Sequence, residues 1–450
     1  MTDEPADPAA LFARALAAHE AGRLGEAVEL YRSLLADRPD LGGPRINLAA
    51  ALNDLDRPAE GLACLEGLPA TAAVLINRAN ALRGLGRFAE ALAATTQAVA
   101  LEPDDPRALS NLALVKQDLG RMDEAVALFA QAVARAPGEE SLRANLGGAL
   151  LMAGDFERGW PAFEARLAGS ATRAAMRQVG LPVWSGAPLA GARILIHAEQ
   201  GLGDTIQFLR FLPLVAKRGG QVIFSGQEGL RRLVSGIEGV QAAIGWNDVP
   251  PPCDCQAPLL SLPRLFGVTP ATIPASDLHA DPALVAAWRK RIGGEGFKVG
   301  LAWQGNPAMK ADAKRSVPLD RLRPLAALPG ISLFGLQKGA GREGIADVPR
   351  DDLGPDLSDL ADTAAAIAHL DLVIAVDSAV AHLAGALGRP VWTLVRFNPD
   401  WRWPPGATRT PWYPTMTLYR QERPNDWETV INRVAADLGA LATAHTTRPR

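Results

Sequence analysis

Three observations predict an all-α repeat array followed by an α/β region of two parallel-sheet layers. Turn-like residue pairs recur about every 34 residues through the first third of the chain. From residue 193 onward, short apolar runs alternate with helical stretches. Residues 370–395, LDLVIAVDSAVAHLAGALGRPVWTLV, spell out one strand–turn–helix–strand unit. There the apolar run Leu372 to Val376 meets Asp377 and Ser378, a small-residue segment Ala379 to Leu387 follows, Gly388 stops it, and a second apolar run starts at Val391.

The array comes first. Gly22-Arg23, Asp56-Arg57, Gly86-Arg87, Gly120-Arg121 and Gly154-Asp155 stand 34, 30, 34 and 34 residues apart, and Pro39, Pro69, Pro103 and Pro137 keep the same beat. Most of these pairs lead into an acidic residue and then Ala or Gly (Glu26-Ala27, Glu60-Gly61, Glu90-Ala91, Glu124-Ala125), with Tyr31, Leu65, Phe129 or Phe163 further on. Residues 1–168 therefore read as four to five helix pairs, and the pattern resembles the tetratricopeptide repeat. Such arrays stack into a superhelix whose concave face binds other proteins. Asn47, Asn77, Asn111 and Asn145 form one further column, 30, 34 and 34 residues apart. Asparagine is a poor helix former, and its carboxamide both donates and accepts, so a recurring Asn suits gripping an acceptor peptide's backbone. The competing reading has each Asn bonding within the array. The column is similar to the asparagine ladder of O-GlcNAc transferases.

Composition excludes several classes. Lys plus Arg number 46 against 49 Asp plus Glu, which gives no electrostatic footprint for nucleic acid or an anionic membrane. Three cysteines make neither a disulfide framework nor a zinc site. The start, MTDEPADP, has no signal-like apolar stretch and no run approaches a membrane span, so the expectation is a cytoplasmic protein. Lysine is scarce: there are seven, and Lys310, Lys314 and Lys338 lie close together in the sequence.

Residues 169–192 are small, interrupted by Pro and Gly, and aperiodic, so they read as a linker, with Trp184 pinning it to a neighbour. The first α/β layer, 193–295, opens with strand 193–198, a glycine loop at 199–203 and a helix from Asp204, then strands 221–224 and 240–244. The second layer, 296–425, has strand 298–303, a loop to Ser316, a helix near 319–328, strand 331–336, a helix at 363–369 and the 370–395 unit. Residues 426–450 close the chain with an amphipathic helix that can pack across both layers. In parallel sheets the ligand lies beyond the carboxyl ends of the strands, so Asp377, Ser378 and the N–H groups from Ala379 onward face it, and a helix start there favours phosphate. The alternative is that Asp377 or Ser378 merely caps the helix.

Two such layers with a cleft between them are the GT-B architecture. The segment Glu199-Gln200-Gly201-Leu202-Gly203-Asp204, the run from Gly300 to Pro307 with Arg315-Ser316, and Val376-Asp377-Ser378 through His382-Leu383-Ala384-Gly385 resemble bacterial glycosyltransferases of the heptosyltransferase kind. Fusion to repeats, with Asp400-Trp401-Arg402-Trp403 and Trp412-Tyr413-Pro414, narrows the resemblance to repeat-bearing protein glycosyltransferases, most closely those that place nonulosonic acids on flagellin. The resemblance implies an inverting transfer of a sugar such as pseudaminic or legionaminic acid from a CMP-sugar donor to Ser or Thr of flagellin docked on the array. Alternatives are a heptosyltransferase-like enzyme acting on a surface glycan and a scaffold whose transferase fold is inactive.

Inverting transfer needs a base for the acceptor hydroxyl and something to hold the departing phosphate. Asp204 matches the carboxylate of the heptosyltransferase Gly-Asp pair; its bland reading is a helix cap, with Thr205 as a rival. His197 is the rival base, though a strand histidine is more often a core residue. For the donor, candidates are Gly203, Asn306, Lys310, Lys314, Arg315, Gln337, Lys338, Asp377, Ser378, Ala379 and His382. Loop lysines suit phosphate as point charges. No Asp-x-Asp motif follows a strand, so neither a metal nor another cofactor is expected.

Overall fold

The structure is a computed structural model that describes residues 7–307, 312–339, 341–342, 348–349 and 351–446. It divides into two compact units, Met1–Ala153 and Gly154–Arg450.

In the first unit, helices Pro8–Glu20 and Leu24–Asp37, Gly42–Asp54 and Pro58–Cys64, Ala72–Gly84 and Phe88–Leu101, Pro106–Asp118 and Met122–Arg135 form pairs, and Glu140–Met152 follows. The periodic turn pair has a backbone cause. Gly22, Asp56, Gly86 and Gly120 are left-handed, with φ of 73°, 57°, 74° and 73°. The arginine after each sends its N–H back to a carbonyl five residues earlier: Arg23 to Ala18 at 2.9 Å, Arg57 to Leu52 at 2.8 Å, Arg87 to Leu82 at 2.8 Å, Arg121 to Lys116 at 2.9 Å. This closes the first helix of each pair in a Schellman turn, which only a left-handed residue permits. The recurring acid is explained too, since Arg23–Glu26 (2.7 Å), Arg57–Glu60 (2.6 Å) and Arg87–Glu90 (2.6 Å) pair across one helical turn on the surface. Tyr31, Leu65 and Phe129 are buried between the helices, as are Ala27, Ala91 and Ala125.

The second unit contains two parallel sheets. β1 (Arg193–His197), β2 (Gln221–Gly226), β3 (Val240–Gly245) and β4 (Cys255–Pro258) make the order β3-β2-β1-β4. β5 (Phe297–Ala302), β6 (Ile331–Gly335), β7 (Asp351–Asp352), β8 (Leu372–Val376), β9 (Val391–Val395) and β10 (Met416–Arg420) make the order β10-β9-β8-β5-β6-β7. Every strand pair is parallel. β1 and the β5–β8 pair lie inside their sheets, which is why they carry continuous apolar runs. β4, β7 and β10 were not expected from sequence: β4 ends in proline after a Pro-rich loop, and β7 is two carboxylate residues long. β4 is fixed from outside, because the Arg193 N–H donates to the Asp254 carboxylate at 2.8 Å.

Three expectations change. The 169–192 stretch holds a helix, Ala171–Val179, capped by the Ser170 hydroxyl, which accepts the Arg173 N–H at 3.1 Å, and ended by left-handed Gly180. Met176 is the one buried residue on it, so the helix buries no apolar stripe. Trp184 is buried, as expected, against Phe266 with ring centroids 5.9 Å apart. The helix Phe156–Phe163, read as the last repeat helix, belongs to the second unit, where the Trp160 indole donates to the Val268 carbonyl at 3.0 Å. The closing helix, Trp427–Thr446, buries Trp427, Val430, Ile431, Val434 and Leu438 in the core of the six-stranded sheet.

Candidate active site

Two helices start at the carboxyl ends of central strands, one from each sheet, and their starts meet. Leu202–Phe208 follows β1 and Ala379–Ala386 follows β8. Gly203 makes the approach possible. A Cβ there would lie 2.8 Å from His382 Cδ2, 3.4 Å from its Nε2 and 3.6 Å from Ala379 Cα. Gly203 thus serves helix-to-helix contact, whereas a Cβ at Gly201 would meet Asp204 Oδ2 at 3.0 Å in its own turn.

The loop before the first helix is held rigidly. Gln200 is left-handed (φ 53°), and its carbonyl accepts from the Gln227 amide at 3.2 Å. Glu199 is buried on the Arg166 guanidinium, at 2.8 and 2.9 Å from one nitrogen, which also donates to Ser261 Oγ at 2.9 Å. Burial pushes the Glu199 carboxyl up, and Arg166 opposes it.

Asp204 is the third helical residue and not the N-cap. Its Oδ2 accepts the Gly201 N–H at 2.8 Å, while Arg402 Nη2 lies 2.7 Å from its Oδ1, close as an ion pair but not aligned as a hydrogen bond. Asp204 thus caps the Gly201 N–H from the third position, whereas Thr205 does not cap: its hydroxyl reaches the Gly201 carbonyl at 3.2 Å.

His197 is placed as a core residue. It is 6% exposed, and its Nε2 lies 2.9 Å from Gln256 Oε1, whose amide is fixed on the carbonyls of Met176 (3.0 Å) and Leu181 (2.7 Å). Burial pushes the imidazole down, with Gln256 acting against it. The rival base is therefore not among the groups that the helix starts bring together.

On the other side, His382 is buried, with Nδ1 2.9 Å from the Tyr413 hydroxyl and Nε2 3.7 Å from Asp377 Oδ1. Burial alone would raise the Asp377 carboxyl, but His382, Trp403 and Arg315 outweigh it and hold the group at about 2. Ser378 is the N-cap of Ala379–Ala386, yet its hydroxyl makes no capping bond and has no hydrogen-bond partner among the described residues. An unused donor beside free helix N–H groups suits an anion.

The cationic loops are less available than expected. Lys338 is spent on structure, its ammonium donating to the carbonyls of Leu357 (2.6 Å) and Ser358. Gln337 is buried, and its Oε1 accepts the backbone N–H of Trp303 (3.2 Å) and Gln304 (3.1 Å), so its carboxamide oxygen pins a loop. Arg315 pairs with Asp312 at 2.8 Å while lending positive charge to Asp377. Asn306 is exposed, Lys314 is half-buried, and both are engaged. Lys310 lies outside the described residues.

The residue list read from sequence missed the segment that closes the site. Arg402 is 5% exposed, with Nη1 2.6 Å from Asp400 Oδ1, Nε 2.5 Å from Gln207 Oε1 and its guanidinium carbon 4.3 Å above the Trp401 ring. Trp403 lies 5.3 Å from the His382 ring. The signal in the sequence was the Trp401-Arg402-Trp403 run, an arginine between two aromatic rings.

Family models match residues 2–41, 42–66, 76–140 and 111–175 to tetratricopeptide repeats, and residues 352–432 to glycosyltransferase family 9 (heptosyltransferase). Asp377, Ser378, His382 and Arg402 fall within that last stretch, and Asp204 falls before it. Protein FlbA of Caulobacter vibrioides is 30% identical over 452 residues, spanning 90% of this chain and 74% of FlbA. Solved structures similar to part of the chain include TTC0263, a thermophilic TPR protein of Thermus thermophilus. It is 19% identical, with a TM-score of 0.35, over 38% of this chain and 96% of that one. PilW, a type IV pilus biogenesis factor, is 22% identical, with a TM-score of 0.32, over 37% of this chain and 79% of that one.

Proposed function

The chain belongs to the family of FlbA and joins tetratricopeptide repeats to a glycosyltransferase family 9 match, and we propose that it glycosylates a protein held by its repeats. The acceptor in this reading is Ser or Thr of flagellin, and the donor is a CMP-linked nonulosonic acid such as pseudaminic or legionaminic acid. The acceptor hydroxyl attacks the anomeric carbon and gives its proton to Asp204. The bond from that carbon to the phosphate oxygen breaks with inversion, and CMP leaves with its phosphate at the Ser378 helix start. Electrostatic stabilisation of that leaving group falls to the N–H groups from Ala379 onward and the Ser378 hydroxyl, with no metal in the scheme. Asn47, Asn77, Asn111 and Asn145 would hold the acceptor's backbone.

One observation supports the chemistry: two helix starts meet at Gly203 and His382, and Asp204 follows Gly203 on the first helix while the anion-favouring start at Ser378 opens the second. The heptosyltransferase family model favours a second reading, a nucleotide-heptose donor and a surface-glycan acceptor. Intact-mass measurement separates them. Flagellin from cells lacking this protein should lose the mass of its nonulosonic acids, and the purified protein should restore that mass from the CMP-sugar. Unaltered flagellin mass in those cells overturns the flagellin reading, and transfer from a nucleotide-heptose to a glycan would establish the alternative.

A further inference from the structure

We propose that Arg402 is a positioning residue for the transfer, acting through Asp204 and not on the donor. The inference rests on the reading of Asp204 as the base. Asp204 has two oxygens with different duties: Oδ2 closes the turn on the Gly201 N–H at 2.8 Å, which leaves Oδ1 to take a proton. The cation facing Oδ1 is Arg402 Nη2, at 2.7 Å.

The arginine is itself immobilised on every side. Its Nε donates to Gln207 Oε1 on the same helix as Asp204, its Nη1 pairs with Asp400, and its face rests on Trp401. Trp401 is wedged edge-on against Trp160 at 5.6 Å, Phe163 at 5.9 Å and Trp412 at 5.8 Å. Burial alone would push the guanidinium down, but Asp400, Asp204 and Asp377 reverse that and keep it charged. A planar fork hydrogen-bonded to Gln207 and Asp400 holds its third nitrogen's positive charge in one place 2.7 Å from Oδ1, which a point charge on a flexible stem cannot do. The aromatic cluster, part of it on the Phe156–Phe163 helix, therefore holds in place the guanidinium that faces the carboxylate.

The test uses the full-length protein, Arg402→Lys, Asp204→Asn and the double variant, with kcat and donor KM measured separately and melting followed by circular dichroism. Arg402→Lys should lower kcat by about tenfold or more and leave donor KM within about twofold, since a misplaced base loses only transition-state stabilisation. In the Asp204→Asn background the same lysine should cause no further loss, because its effect passes through the carboxylate. Additive losses in the double variant, or a rise in KM with kcat intact, would overturn the positioning role while leaving Asp204 as base. Full kcat in Asp204→Asn alone would instead remove the base reading. If Arg402→Lys does not fold, Arg402→Gln, which keeps a planar donor without the charge, is measured in the same cycle.

Discussion

Gly203→Ala tests the contact on which the site depends. The added methyl would sit 2.8 Å from His382 Cδ2, where carbon atoms prefer about 3.5–4.0 Å. About 0.7 Å must come from somewhere. The His382 ring cannot swing freely, since Nδ1 is 2.9 Å from the Tyr413 hydroxyl and Trp403 lies against it. The two helix starts must therefore separate. Overpacking of this kind costs about 1–3 kcal/mol, offset by up to about 1 kcal/mol from replacing glycine in a helix. A net loss of about 0–3 kcal/mol lowers Tm by up to about 12 °C, at about 2–4 °C per kcal/mol for a unit of this size. Activity should suffer more than stability, because misplacement by about 1 Å can cost on the order of 100-fold in rate, so about 0.7 Å predicts roughly tenfold or more. Differential scanning calorimetry and a donor-turnover assay read the two effects. Gly229→Ala, where a Cβ meets nothing within 4 Å, is the control. If Gly203→Ala melts and turns over like the parent, the helix starts do not meet as described.

Acid stability provides a second check. The Asp377 carboxyl is lowered from 3.8 to about 2, so its contribution is complete above about pH 4 and is lost as pH falls toward 2. Asp377→Asn should remove about 2 kcal/mol of that pH-dependent stability, seen as a flatter unfolding midpoint between pH 4 and 2, and an unchanged slope would discount the His382 and Trp403 contacts. For the repeats, Asn77 and Asn111 donate to their own helices, to the carbonyls of Ala73 at 3.0 Å and Arg107 at 2.8 Å, while Asn145 is exposed. Replacing Asn77, Asn111 and Asn145 with Ala should keep the array folded and weaken acceptor binding tenfold to a thousandfold, at about 0.5–1.5 kcal/mol per lost bond. A pulldown that retains flagellin undiminished refutes the ladder.

The period of the array was legible in the sequence because its cause is local. A left-handed residue at Gly22, Asp56, Gly86 and Gly120 is needed to close each helix, and neighbours along the chain satisfy that need. The buried strands β1, β5 and β8 were legible for a similar reason, since a strand covered on both faces must be apolar throughout. The Asp377-Ser378 helix start followed from them. Sequence periodicity could not show what side chains from distant segments would claim. Lys338 and Gln337 carry groups that suit a phosphate, but the carbonyls of Leu357 and Ser358 and the N–H groups of Trp303 and Gln304 were nearer. His197 became a core residue because β4 brought Gln256 beside it, and β4 was itself hidden by its short, proline-ended sequence. Arg402 meets Asp204 across 198 positions of chain, and Gly203 meets His382 across 179. Such pairings depend on how two sheets are packed, so tertiary structure alone decided which of the chain's charged groups would share one site.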